Sequence, residues 1–442
     1  MKSANSTGKI NLEGLMSRSE IIFTAGYLFK GKIRVPELKE SFYAITSSIS
    51  KFNHQVNFKA QDHFSWQLFD DFGECFHVFE SDDIQEKLKE ISADSFDIRA
   101  ASKNYPVHLV VINSTTNDQF YIAEMCSHEY MDARSAETVF HLIIDHYNAL
   151  SFGDTEAMVS AVHEAKSLQT LDAQSMINLL KRDGYDGPAN IEHLENYSTS
   201  DAGEHGVRLA TLPELLPKFA EKKRQPISCI IDANPMITKC RNIYPEVTKN
   251  AVVTAVLHKA LYNINVASKG HSEKQIISGK TVSDLLTPGL REQYLGNYIS
   301  FVPISTPGEI SIEQIAKSIH DRITEFRVKQ INLTCFDMVE QAAEENAVGT
   351  EDDEVSYVIT NWNNYRFLSS RTFLAGCESL ALHSAVNVDP IDAGGAALIN
   401  RAIVVINLNF DDELCFSMFP SLRDDNENRR LTAEVEKLFK QV

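Results

Sequence analysis

The stretch from Pro106 to Leu150 constrains the fold more than any other part of the chain. Pro106 to Ile112 is apolar and β-branched, Asn113 to Asp118 is a run of turn formers, and Phe120 to Ser127 is strand-like again. Ala136 to Leu150 then carries a helical pattern. This order predicts a hairpin whose second strand runs through a short loop into a helix. The loop holds His128, with Asp132 four residues later. A histidine at such a junction is aimed by rigid elements on both sides, and its near-neutral pKa suits it to accept a proton.

A chain of 442 residues, 43% hydrophobic and 23% charged, is long enough to bury a sizeable core in two to three structural units. No apolar run approaches the ~20 residues that span a bilayer. Met1 to Lys9 is polar and lacks a signal-peptide core. The expected location is the cytoplasm, with no membrane span. The seven cysteines are odd in number and scattered, without a CxxC pair or a metal-ligand spacing. They read as reduced core thiols, and no metal site is expected. Cys126 is a conceivable nucleophile with His128 as its base, a role that the alternation of strand side chains disfavours. A net charge of −19 argues against nucleic acid as a partner.

The segment Ser127-His128-Glu129-Tyr130-Met131-Asp132-Ala133 resembles the HHxxxDG motif of the chloramphenicol acetyltransferase-like superfamily, which includes the condensation domains of nonribosomal peptide synthetases. It departs from the motif in two places, since Ser127 stands for the first histidine and Ala133 for the glycine. Three further stretches are similar to this family. Phe29 to Leu38, with Lys39 to Phe52 after it, looks like its opening strand and helix. Tyr147 to Gly153 resembles the end of the helix after the motif. Leu295 to Pro303, with Gly296 and Asn297, looks like its GN segment.

The resemblance spans nearly the whole chain and implies an α/β (α+β) fold. Two chloramphenicol acetyltransferase-like lobes are expected, each a mixed sheet with helices, with an active-site tunnel between them. Along the chain it suggests a flexible lead (1–16), an N-terminal lobe carrying the HxxxD motif (17–180), an interlobe connection (181–208) and a C-terminal lobe with the GN segment (209–442). It implies an acyltransferase that moves an acyl or aminoacyl group from a carrier-protein or coenzyme A thioester to a small amine or alcohol. His128 is then the general base, and no cofactor is tightly bound because the donor itself carries the phosphopantetheine. With no adenylation or carrier segment in the chain, the acyl or peptidyl carrier protein, or the acyl-CoA, is expected to act in trans.

The other site residues follow from the same resemblance. Asp132 is expected to brace the loop against a basic residue of the second lobe, at a place that holds Lys280 here, with Arg134 and Arg291 as other partners. A lysine supplies a point charge in place of a bidentate fork. Asp132 also suits a helix N-cap, and the two roles are compatible. Ser127, Gly296, Asn297, Asn361 and Trp362 are expected along the substrate tunnel. The whole-molecule charge does not attract a phosphate, so recognition must be local, and Lys222, Lys223 and Arg224 form the one compact basic cluster. His141 and Asp145 repeat the His-xxx-Asp spacing inside a helix, where they read as a surface pair. Two other readings stay open. One is a catalytically silent relative that binds a carrier protein as a scaffold, to which Ser127, Ala133 and Lys280 lend substance. The other is an epimerase using His128 with Glu129.

Overall fold

The computed structural model describes residues 8–9, 21–60, 63–68, 73–100, 105–198, 227–269, 276–344, 356–388, 402–419 and 425–441. Lys222, Lys223 and Arg224 lie outside the described residues, as do most of the acidic stretch that begins at Glu340 and residues 199–208 of the connection expected at 181–208.

In chain order the elements that build the site begin with β1 (Ile21–Lys30), α1 (Val35–Thr46), β2 (Phe76–Ser81), α2 (Ile84–Ala93), β3 (Val107–Ser114), β4 (Gln119–Ser127) and α3 (Ala133–Phe152). The expected hairpin is present, with β3 and β4 antiparallel from Val107 opposite Cys126 to Asn113 opposite Phe120. Helix α3 ends where Gly153 takes a left-handed conformation (φ 71°), which a residue with a Cβ adopts at a cost. Strand β1 runs antiparallel to β4 and is buried over eight consecutive residues. Both its faces are covered. Phe23, Tyr27 and Phe29 enter the cluster under α1 and α3, and Ile22 and Leu28 enter the one under α2.

The second half supplies β5 (Ile227–Asp232), α4 (Lys249–Lys269), β6 (Ile276–Asp284), β7 (Ile299–Pro307), α5 (Ile312–Val328), α6 (Ile331–Glu344) and β8 (Tyr357–Asn361). It continues with β9 (Glu378–Val388), β10 (Ala402–Leu408), β11 (Glu413–Phe419) and α7 (Asp425–Phe439). Six of its strands form a mixed sheet in the order β7-β6-β8-β10-β11-β5. Strand β8 is parallel to both neighbours, and the other pairs are antiparallel. Helices α4, α5 and α7 cover one face over a core that includes Val256, Ile319, Val404 and Val435.

Strand β9, which the sequence patterns did not reveal, leaves this half and joins the other sheet. It pairs antiparallel with β1 from Glu378 opposite Lys30 to Val388 opposite Ile21, giving the order β9-β1-β4-β3-β2. Its backbone is also bonded to the second sheet: the Leu382 amide donates to Asn409 Oδ1 at 2.9 Å, and Asn407 Nδ2 donates to the Leu382 carbonyl at 2.8 Å. Two mixed sheets with helices make an α/β fold, as expected from the sequence. No helix among the described residues is long and apolar enough to cross a membrane.

Candidate active site

The end of β4 and the start of α3 set the site. His128 is anchored by its amide, which donates to the Ile21 carbonyl at 2.8 Å. Four residues on, Asp132 caps α3, with Oδ1 accepting from the Ser135 amide at 2.8 Å. Its other oxygen accepts from the Tyr298 amide at 2.9 Å, and its own amide donates to the Gly296 carbonyl at 3.0 Å. Ser135 adds a second stitch, its hydroxyl donating to the Gly296 carbonyl (3.0 Å) and accepting from the Gly296 amide (3.2 Å). Only glycine suits position 296, because a Cβ there would fall 2.9 Å from the Tyr298 ring. The GN segment is thus sewn to the N-terminus of α3.

These bonds correct the expected brace. Asp132 is held by backbone amides, with both carboxylate oxygens occupied, while Arg134 pairs with Glu137 at 2.6 Å and Arg291 pairs with Asp284. Arg134 also donates to the Asn363 carbonyl at 2.5 Å and lies 4.6 Å over the Tyr365 ring. Burial pushes the Asp132 carboxyl up in pKa against these hydrogen bonds. Burial, and then the charge of Asp132, pushes Asp284 up to about 6.

Asn297 clips the histidine from behind. Its Nδ2 donates to the His128 carbonyl at 2.8 Å, which turns Oδ1 toward His128 Nδ1 at 3.0 Å. An amide oxygen only accepts, so Nδ1 carries the proton of the neutral ring and Nε2 keeps its lone pair, the form a base requires. Phe23 holds the ring edge-on, with centroids 5.5 Å apart. Burial lowers the His128 pKa, and the hydrogen bonds at Nδ1 act in the opposite direction. Replacing Asn297 by Leu should lower kcat on the order of 10²-fold, within the range that general-base catalysis supplies. Because the lost bond favours the protonated ring, the acid limb of the pH profile should also move to lower pH. An unchanged limb and kcat would show that the clip does nothing.

The imidazole borders a cavity of about 640 Å³ lined from both halves of the chain. Among the residues singled out from sequence, His128, Asp132, Lys280, Asn361 and Trp362 line it. Ser127, Gly296 and Asn297 are not on its wall. Ser127 is buried in the β1–β4 ladder opposite Ile22, and the GN pair backs the loop. Trp362 stacks on Tyr365 and meets Phe23 edge-on. Its indole N–H is buried without a partner among the described residues, whereas Asn361 Oδ1 accepts from the Asn363 amide at 2.8 Å.

Cys126 and His128 are two residues apart and β4 ends at Ser127 between them, so alternation does not separate them. Burial does set Cys126 aside as a nucleophile, pushing its thiol well above the ordinary range. His141 and Asp145 do not form a pair, for His141 lies 3.6 Å from Glu137 and Asp145 is 3.3 Å from Arg366. Sequence reasoning missed Phe23, Ser135, Tyr298 and Asp284. The last could have been found by aligning β6 with the strand after Asn297, which puts Asp284 opposite Ile299. Among the described residues no cluster of ligating side chains could hold a metal ion.

No family model matches this chain, and no curated protein matches it either. Solved structures do. TRI3 trichothecene 15-O-acetyltransferase from Fusarium sporotrichioides is similar at 11% identity and a TM-score of 0.63, over 97% of this chain and 93% of that one. The condensation domain of the Monacolin K polyketide synthase MokA is similar at 11% identity and a TM-score of 0.60, over 99% and 97%. The starter condensation domain of rhizomide synthetase RzmA, solved with C8-CoA and Leu-SNAC, matches at 9% identity and a TM-score of 0.58, over 96% and 90%. The fold is therefore that of these condensation and acetyltransferase domains, and His128 borders a cavity lined from both halves of the chain.

Proposed function

We propose that this chain is an acyltransferase of condensation type. It transfers an acyl or aminoacyl group from a carrier-protein or coenzyme A thioester to an amine or alcohol, forming an amide or ester in natural-product biosynthesis. The observation that carries this reading is the clipped imidazole, its basic nitrogen unencumbered by the clip, beside a cavity large enough for two reactants. His128 Nε2 takes the proton of the acceptor as that group attacks the thioester carbonyl, and returns it to the departing thiolate. The cavity holds the reactants together away from water, which supplies much of the remaining acceleration.

The scaffold reading predicts a filled channel at His128, and the open cavity there favours catalysis over it. The test is thiol release from a panel of acyl-CoA and acyl-carrier thioesters with mixed amine and alcohol acceptors, in wild type and His128→Ala. Acceptor-dependent release that the substitution removes supports the proposal. Background release from both proteins while a carrier still binds would favour the scaffold.

The pH profile gives a second check. A base must be unprotonated to act, so activity is lost as pH falls through its pKa. Burial sets that pKa below the ordinary 6.5, so the acid limb of kcat/KM should lie below pH 6.5. A limb above that value would assign the titration to another group.

A further inference from the structure

The N-terminal end of α3 grips a turn from the other half of the chain. Arg134 donates to Glu137 Oε2 at 2.6 Å through one nitrogen and to the Asn363 carbonyl at 2.5 Å through another, and its guanidinium carbon lies 4.6 Å from the centre of the Tyr365 ring. Glu137 accepts from the Arg366 amide at 2.6 Å with its other oxygen. The Tyr365 hydroxyl donates to the Ala133 carbonyl at 2.9 Å. The gripped turn, residues 362–366 after β8, is tied equally to its own half. Asn363 Oδ1 accepts from the Leu408 amide, its Nδ2 donates to Asn250 Oδ1 at 2.5 Å, and the Trp362 amide donates to the Ile406 carbonyl at 2.8 Å.

This grip bears on His128 through aromatic rings. Trp362 stacks on Tyr365, with centroids 5.8 Å apart and planes 8° apart, and meets Phe23 edge-on at 5.8 Å. Phe23 in turn meets the His128 ring. The stitch at Gly296 and Asn297 holds the histidine from behind, and this series of rings holds it from the side of β1 and β8. Stability alone is a weak reason for the grip. The Arg134 and Glu137 side chains are 14% and 8% exposed, and a pair that deep loses in desolvation much of what it gains in attraction. The arginine also does here what a lysine could not, since one planar fork reaches a carboxylate, a carbonyl and a ring face together.

We infer that Arg134 is a positioning residue for acyl transfer. It holds the 362–366 turn against α3, so that Trp362 and Phe23 keep the His128 imidazole aimed at the acceptor. This rests on the acyltransferase reading of the cavity, and it gives Arg134 a task other than the expected brace of Asp132. Misplacing a reacting group by about 1 Å costs up to about 10²-fold in rate, so a ring that loosens without leaving the site lowers kcat while the walls that bind the substrates stay in place.

The test is a double-mutant cycle on the full chain, run at a temperature where urea unfolding shows every variant folded. Arg134→Met keeps the length of the side chain and removes the fork. It should lower kcat about tenfold and change KM less than about twofold. In a Trp362→Ala background the same substitution should cost less than about twofold more, because the wall it holds is already gone. Arg134→Lys retains a charge beside Glu137 but cannot serve the Asn363 carbonyl at the same time, so it should recover only part of kcat, and it carries the cycle if the methionine variant does not fold. Fluorescence gives a readout without turnover. Trp66 and Trp362 are the two tryptophans of the chain, so in a Trp66→Phe protein the emission reports Trp362 alone. Replacing Arg134 there should shift the emission to the red and increase its quenching by acrylamide. Losses in kcat that multiply in the double variant, a loss confined to stability or to KM, or unchanged quenching would each overturn the inference. Absence of His128-dependent thiol release in the wild type would remove the acyltransferase reading, and the quenching would still decide whether Arg134 holds the turn.

Discussion

His128→Ala should lower kcat by about 10²–10⁴-fold on any donor and acceptor pair that the wild type accepts, with KM changed far less. On the proposed reading the imidazole is the base for proton transfer in this cavity. Its proton is parked on Nδ1 by Asn297, its ring is fixed by Phe23, and burial keeps it neutral near pH 7. The alanine removes the proton acceptor but leaves the walls that position the reactants, so the defect belongs in the chemical step. Single-turnover acyl transfer followed by thiol release measures it. A variant that kept wild-type kcat would transfer the base to another residue, and a loss confined to KM would make His128 a binding group.

The second large effect is expected in stability. Asp132→Ala deprives the Ser135 and Tyr298 amides of their acceptor, one a helix N-cap bond and the other a buried bond from the second half of the chain. Loss of a cap costs about 1 kcal/mol. An orphaned buried donor costs about 1–3 kcal/mol. Together they predict a loss of about 2–4 kcal/mol, toward the lower figure because burial already opposes ionisation of this carboxyl. Asp132→Asn, with one acceptor oxygen, should recover about half of that loss. Urea unfolding at neutral pH measures both. Because the same bonds hold Asn297 behind His128, the alanine variant should also lose activity at temperatures where it remains folded. A stability loss without any effect on kcat would separate the stitch from the clip.

What could be read in advance was local. The β3–β4 hairpin and α3 announce themselves through apolar period and turn residues within one continuous stretch, and His128 and Asp132 are four residues apart inside it. The clip on His128 is different in kind, since its two halves are 169 residues apart and no local pattern records the contact. From sequence Asn297 therefore looks like turn chemistry or a tunnel lining, and the amide brace on Asp132 is invisible because a backbone N–H belongs to every residue type. Strand β9 was obscured for another reason. Ser384 and Asn387 give it a polar appearance, yet both are buried, paid for by bonds to Asn407 Oδ1 at 3.1 Å and to the Ser92 carbonyl at 3.2 Å. Partners in other elements make those polar residues compatible with the interior.

The position of β9 also orders events during synthesis. Strand β1, a ten-residue strand of Ile21 to Lys30 buried on both faces in the finished protein, leaves the ribosome well before the strand that closes its open edge, which is encoded some 350 residues later, Glu378 meeting Lys30. Until then the nascent first half presents a long apolar edge, the kind that pairs with other chains. The first sheet therefore cannot be completed cotranslationally before β9 has emerged, and chaperone demand should be set by that delay rather than by the length of either half.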